Sequence, residues 1–308
     1  MSLDGNLQHS SRLLLLGSCF SDEIGRLLKD NGFAAAVNPG GTLFHPLAIA
    51  KLLKWALAEQ FVPLRMYQRE DICLSWDLSG TFYALCEEEF ENKCQQLHAD
   101  LRYSLLNYTH LIITFGSSWA YLLQQDNEVV TNCHKAPKSS FSKELSKLDD
   151  MLLCWKNLLN EIKQVNPSLQ VIFTVSPVKH LKDGLVENNR SKARLHLLAE
   201  ELCALPACTY FEAYELVSDE LRDYTFYKAD GAHPNERAIT VVWQLFQERF
   251  LTVATKECLE EWNTLQKLKT HKILYPESKE AQQHLKKLEQ KERSFFFKYP
   301  NFQRSTPS

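Results

Sequence analysis

Two short clusters in this chain carry residue types that could cooperate in nucleophilic chemistry. The first, Gly17-Ser18-Cys19-Phe20-Ser21, follows the leucine run Leu13 to Leu16, so a hydroxyl and a thiol stand on a glycine-permitted turn directly after an apolar segment. The second runs from Tyr224 to Pro234 and sets Asp230 three residues before His233, just ahead of the proline. That spacing lets the carboxylate reach the imidazole Nδ1–H within a single turn, fixing the tautomer that leaves Nε2 free to accept a proton. A base with its own orienting carboxylate, and a hydroxyl on a strand-to-helix turn, are what acyl transfer through a serine requires. The helix expected to start near Ser21 or Asp22 would favour negative charge developing beside Ser18. Cys19 is the rival nucleophile, because a thiolate at a helix N-terminus is activated, although the second residue of such a turn usually points into the fold.

These clusters need a scaffold that brings them together across a long sequence separation. Arg12 to Leu16, Ala34 to Val37, His110 to Phe115, Gln170 to Val175 and Thr209 to Phe211 are short and evenly apolar, the pattern of buried strands. Between them Asp22 to Asn31, Pro46 to Glu59, Phe90 to Leu106, Ser142 to Gln164, Asn189 to Leu205 and Asn235 to Phe250 carry apolar residues at helical spacing. The alternation predicts an α/β fold: a doubly wound, flavodoxin-like parallel sheet of five strands with helices on both faces, whose ligand site lies beyond the C-terminal strand ends. Gly17, Gly40, Gly41 and Gly116 each follow a predicted strand, where loops can aim backbone N–H groups at a common point. Ile72 to Leu85 alternates around Ser79-Gly80 and reads as an inserted β-hairpin. From Thr255 the composition shifts to Lys, Glu, Gln and Leu, with Leu259, Trp262, Leu265 and Leu268 at helical spacing. The expected organisation is therefore a main domain over 1–254 and a helical extension over 255–308, which packs on its own domain or mediates homo-oligomerisation. Phe295-Phe296-Phe297 within it is costly to expose and is expected to dock.

Composition narrows the function classes. Lys+Arg of 35 against Asp+Glu of 38 gives a net charge of -3, so no bulk attraction to nucleic acid or acidic lipid is expected. The nine cysteines never form a Cys-x-x-Cys pair, which argues for reduced core residues rather than a disulfide framework or zinc ribbon. The polar N-terminal lead and the short apolar run behind it do not form a signal h-region, and the chain as written reads as cytoplasmic; a leader trimmed before Met1 is compatible with this. No His-x-x-x-His or His-x-Glu pattern is present, so neither a metal nor another cofactor is expected.

The ordered stretches Gly17-Ser18-Cys19-Phe20-Ser21, Asn38-Pro39-Gly40-Gly41, Phe115-Gly116-Ser117, Asn132-Cys133-His134-Lys135, Ser176-Pro177-Val178-Lys179-His180 and Asp219 through Pro234 resemble the GSCFA-domain family, within the SGNH or GDSL hydrolase superfamily. The resemblance covers roughly Arg12 to Phe250. It implies Ser18 as nucleophile, His233 as base and Asp230 as its orienter, with the Ser18 and Gly41 N–H groups in the oxyanion hole. Superfamily members place an asparagine shortly after the glycine of the third block, whereas Ser117, Ser118 and Trp119 follow Gly116 here. Asn132 is the expected substitute donor, with Ser117 as the alternative. His134, Lys135 and His180 read as a polar, potentially cationic rim, so Ser117, His134 and His180 are secondary substrate-contact candidates. The implied activity is hydrolysis of a small-molecule or O-acylated carbohydrate ester through an acyl-enzyme. An acyltransferase, or a binding module of the same fold without turnover, is the alternative.

Overall fold

A computed structural model describes residues 6–270 and 275–304 of the protein; residues 1–5, part of the polar N-terminal lead, lie outside these. Five strands form one wholly parallel sheet: β1 (Arg12–Gly17), β2 (Ala34–Val37), β3 (His110–Phe115), β4 (Gln170–Val175) and β5 (Cys208–Phe211), in the order β5-β4-β3-β1-β2. These are the strands expected from the sequence, to within one residue at each end. Chain order reverses between β1 and β3, and in a doubly wound sheet that switch point opens the crevice in which ligands bind.

Strand alternation sorts side chains into two cores. Leu14, Leu16, Leu111, Ile113, Val171 and Phe173 face α2 (Pro46–Leu57), α3 (Glu87–Asn107), α4 (Leu148–Val165) and α5 (Leu185–Cys203). Leu13, Leu15, Ile112, Ile172 and Phe211 face α1 (Cys19–Asp30) and the helix Glu236–Phe250. Successive β-residues point to opposite faces, so each of these apolar strands must be covered on both sides, which is why helices alternate with strands along the chain.

Three local expectations need correction. Ser142 does not open a helix: Phe141–Leu145 is a strand whose partly buried Phe141, Lys143 and Leu145 alternate with exposed residues, and it pairs antiparallel with Trp119–Leu123. Glu128–Val130 joins the other edge of Trp119–Leu123, making a three-stranded antiparallel sheet that the sequence reading missed. The hairpin forms from Met66–Arg69 and Ile72–Ser75 around Glu70, rather than around Ser79-Gly80; within 72–85 the ladder is reduced to a bridge between Cys73 and Ala84.

The C-terminal helices Val253–Thr270 and Lys279–Lys298 fold back on the second core, where Leu259, Trp262, Leu265, Phe295 and Phe302 join the side chains beneath β1. Phe295 docks as expected, with its ring centroid 5.3 Å from that of Trp262, but Phe297 is 91% exposed because it lies on the outer face of its helix. Trp262 also donates its indole N–H to Asp30 O at 3.2 Å, tying the tail to the end of α1. Trp262→Ala should cost about 3 to 5 kcal/mol of unfolding free energy by chemical denaturation. A loss below about 1 kcal/mol would mean that the tail contributes little to the core it covers.

Candidate active site

Gly17 ends β1 with φ +145°, and a Cβ there would stand 2.2 Å from Thr114 O on the neighbouring strand, so only glycine lets the chain leave the sheet at this point. Ser18 then caps α1 in an extended conformation, with its Oγ accepting the Phe20 N–H at 3.3 Å. Its own N–H makes a long bond of 3.3 Å to Thr114 O. Asn38 holds this turn: its Oδ1 accepts the Gly17 N–H at 2.9 Å, and its Nδ2 donates to Asp22 Oδ1 at 2.7 Å. Asn38 itself is buried at φ +41°, a left-handed position that asparagine tolerates. Asn38 opens the Asn38-Pro39-Gly40-Gly41 stretch, and an Asn before Pro-Gly-Gly at a strand end is the sequence signal for this role.

His233 Nδ1–H donates to Asp230 Oδ2 at 2.6 Å. Asp230 Oδ1 accepts the N–H groups of Ala232 at 2.9 Å and His233 at 3.0 Å, around Gly231 at φ +64°. The backbone donors of His233 and Ala232, followed by the ring itself, hold the Asp230 carboxyl well below the usual carboxylate range. The segment is pinned on two sides. Lys179 N–H, after β4, donates to Ala232 O at 3.1 Å, and Lys228 Nζ lies 3.6 Å from Glu23 on α1, the helix that Ser18 caps. Asp230 and His233 therefore meet, on a loop bonded to the end of β4 and facing α1 across a half-exposed ion pair. Ser18 is wholly buried. Cys19, although more exposed, has its thiol pushed up by burial and by Asp22 and Glu23, which keeps it protonated rather than activated.

The secondary candidates separate. Gly41, at φ +79°, gives its N–H to Asn38 O at 2.7 Å to close the Asn38–Gly41 turn. The expectation that this N–H is free for an oxyanion is corrected by that bond. Asn132 is exposed; its Oδ1 accepts the His134 N–H at 2.8 Å, and its Nδ2 lies 3.4 Å from where a Gly80 Cβ would stand. Because Ser79 N–H donates to Gly40 O at 3.1 Å, Asn132 adjoins the Gly40-Gly41 loop through Ser79 and Gly80. Ser117 is buried, with its Oγ accepting the Trp119 N–H at 3.1 Å and meeting Ser191 Oγ at 3.3 Å, so its hydroxyl serves the fold.

The cationic rim is also corrected. His134 is buried against Trp76, with Nε2–H donating to Ser75 O at 2.6 Å, and burial lowers its pKa. His180 packs edge-on against Phe44, and burial, followed by the charges of Lys192 and His233, takes it down to about 4. The His180 ring lies near the Gly116 carbonyl, and its Nε2 finds no hydrogen-bond partner among the described residues. Both rings are neutral at pH 7. No cluster of three His, Cys, Asp or Glu suited to a metal ion occurs among the described residues. No helix among them is long and apolar enough to cross a membrane.

One polar face escaped the sequence reading. Asn188, Ser191 and Lys192 on α5 are spaced to share a helix side, and all three are buried. Asn188 Oδ1 accepts the His180 N–H at 2.9 Å, and Ser191 Oγ accepts the Ser118 N–H at 2.8 Å. Lys192 Nζ donates to Gly116 O at 2.8 Å and Ser176 O at 2.6 Å. This ridge holds the loops that leave β3 and β4 at the C-terminal sheet edge, and it also anchors His180. No sequence signal marked it, since Asn, Ser and Lys at helical spacing read as a solvated face.

No curated protein matches the chain. Among solved structures it is similar to a Streptococcus pneumonia protein provisionally described as a platelet activating factor, at 8% identity and TM-score 0.41, over 77% of this chain and 82% of that one. It is also similar to a family 3 carbohydrate esterase from Clostridium thermocellum, at 10% identity and TM-score 0.37, over 82% of this chain and 98% of that one. A third similar chain is the acetyl xylan esterase Est2A of the rumen bacterium Butyrivibrio proteoclasticus, at 12% identity and TM-score 0.30, over 84% of this chain and 65% of that one. The GSCFA family model matches residues 12–246, from the first residue of β1 into the helix that follows His233, and the chain belongs to the GSCFA family.

Proposed function

We propose that this chain is a serine esterase that cleaves an ester-linked acyl group through an acyl-enzyme, with Ser18 as nucleophile, His233 as general base and Asp230 as its orienter. The observation that carries the reading is the 2.6 Å contact between His233 Nδ1 and Asp230, on a loop that faces α1, the helix that Ser18 caps. In the first step His233 Nε2 takes the Ser18 proton as Oγ bonds to the ester carbonyl carbon, and the carbonyl electron pair moves onto oxygen. Collapse of that tetrahedral species expels the alcohol, which receives the proton from His233; water then repeats the sequence on the acyl-enzyme. Asp230, held as a carboxylate by two backbone donors, stabilises the imidazolium formed in each half. The Ser18 N–H, held only by its 3.3 Å bond, and Asn132 Nδ2 are the proposed oxyanion donors. An O-acylated carbohydrate is a fitting substrate class, and an acceptor hydroxyl in place of water would make the same chemistry an acyl transfer.

A binding module without turnover is the second reading, favoured by the complete burial of Ser18 and by the bond that already occupies the Gly41 N–H. Active-site labelling with a fluorophosphonate separates the two readings. Ser18 should be the modified residue, Ser18→Ala should abolish labelling, and Cys19→Ala should largely preserve it. Modification of Cys19 instead would convert the proposal to a thiol enzyme, and no labelling at all would favour the binding module.

Asn132→Asp keeps an acceptor for the His134 N–H while removing the amide donor. Turnover of p-nitrophenyl acetate should fall about 100 to 1,000-fold, with little change in thermal stability. A loss of less than about tenfold would remove Asn132 from the oxyanion hole.

A further inference from the structure

Lys192 is 2% exposed, and no carboxylate pairs with it among the described residues. Its ammonium is satisfied only by the Gly116 and Ser176 carbonyls and by the face of Tyr214, whose ring centroid lies 5.9 Å away. A buried cation without a counter-ion is costly, and a Met of similar length would fill the space more cheaply if the two carbonyls could find other donors. The residue bonds the carbonyls that directly follow β3 and β4, and the first of these lies two residues beyond Thr114, whose own carbonyl takes the Ser18 N–H.

We propose that Lys192 is a positioning residue: through the Gly116 and Ser176 carbonyls and through space it supplies the positive charge against which negative charge develops at Ser18. The inference rests on the reading of Ser18 as nucleophile. The resting ammonium lacks a counter-ion, and the negative charge that develops in the transition state is that counter-ion, so the burial cost of the ammonium is relieved only there. The groups that face it are Cys19 from α1, His180 from the loop after β4, His196 one turn further along α5, and Tyr214 beyond β5. Glu215 stands one layer back, 3.4 Å from His196 Nδ1. Burial lowers the Lys192 pKa to about 7, so the charge is present below neutrality and is lost as pH rises.

That titration separates an electrostatic role from a mechanical one. A neutral amine still has two N–H groups for its two carbonyls, so a simple clamp survives deprotonation. Linkage runs in the same direction: because the unfolded lysine binds its proton more tightly, the Lys192 contribution to stability rises with pH above about 7. A fall in activity over that range is therefore not unfolding driven by Lys192.

The test compares the full wild-type chain with Lys192→Met between pH 6 and 9, measuring fluorophosphonate labelling of Ser18 and p-nitrophenyl acetate turnover. In the wild type the labelling rate and kcat should fall as pH rises above about 7. Lys192→Met should lose that alkaline fall and run about 10 to 100-fold slower at pH 6.5, with KM changed less than about twofold. Wild-type labelling that rises or stays flat to pH 9, or a variant matching wild type in rate and profile, overturns the inference while leaving Ser18 as nucleophile. If Lys192→Met does not fold, Lys192→Arg, whose charge persists to pH 9, takes its place: it should keep the pH 6.5 rate and lose the alkaline fall, and an Arg variant that keeps the fall overturns the inference. A wild type that labels at no pH overturns the Ser18 reading and this inference with it.

Discussion

The close passage of Gly17 over the Thr114 carbonyl governs the candidate site. A side chain at residue 17 would collide with a backbone atom that cannot move without breaking the sheet, so β1 must end at a glycine. Ser18 is thereby delivered to the boundary between β1 and β3, where the order of strands reverses and the helices on the two faces diverge. Asn38 completes the arrangement by answering the Gly17 N–H and Asp22 together. A buried N–H left unpaired there would cost about 1 to 3 kcal/mol, which accounts for an amide side chain in a left-handed turn at the end of β2.

Around that turn the polar groups follow a division of labour set by burial. His45, His134 and His180 are all neutral, and His45 and His134 are spent on main-chain hydrogen bonds; His45 donates to Ser118 O at 3.3 Å and is taken down to about 4 by burial. His233 is the half-exposed exception, its side chain 41% accessible, and the one of these four that is oriented by a carboxylate. The Cys19 thiol, flanked by Asp22 and Glu23, is disfavoured as an anion beside a serine that has none of these acids bonded to its hydroxyl. Beneath them Lys192 has no acid to answer it among the described residues and bonds two loop carbonyls instead.

The inner strands were legible because they are buried on both faces: Leu13 to Leu16 and His110 to Phe115 have no solvent-exposed side to confuse with a helix. Phe141–Leu145 was not legible, since Ser-Lys-Glu between two apolar residues reads equally well as the first turn of the amphipathic helix that begins at Leu148. The Asp230–His233 contact could be foreseen because its two members are local in sequence. The contacts that depend on tertiary packing were not: the Asn38–Gly41 turn consumes an N–H that motif reasoning left free, and His134 is turned inward toward Ser75. The α5 ridge was hidden for the opposite reason, because hydrophobic periodicity finds apolar faces and this buried face is polar.

Ser18 and His233, distant in sequence, are proposed to act on one acyl carbon, and a crystal structure of the fluorophosphonate adduct would show whether they do. Phosphorus should be bonded to Ser18 Oγ, with His233 Nε2 within about 3.2 Å of that oxygen or of the position its leaving group vacates. An adduct on Ser18 with His233 turned away from the phosphorus and Asp230 still bound to its Nδ1 would contradict the claim, because the base would then serve some other atom.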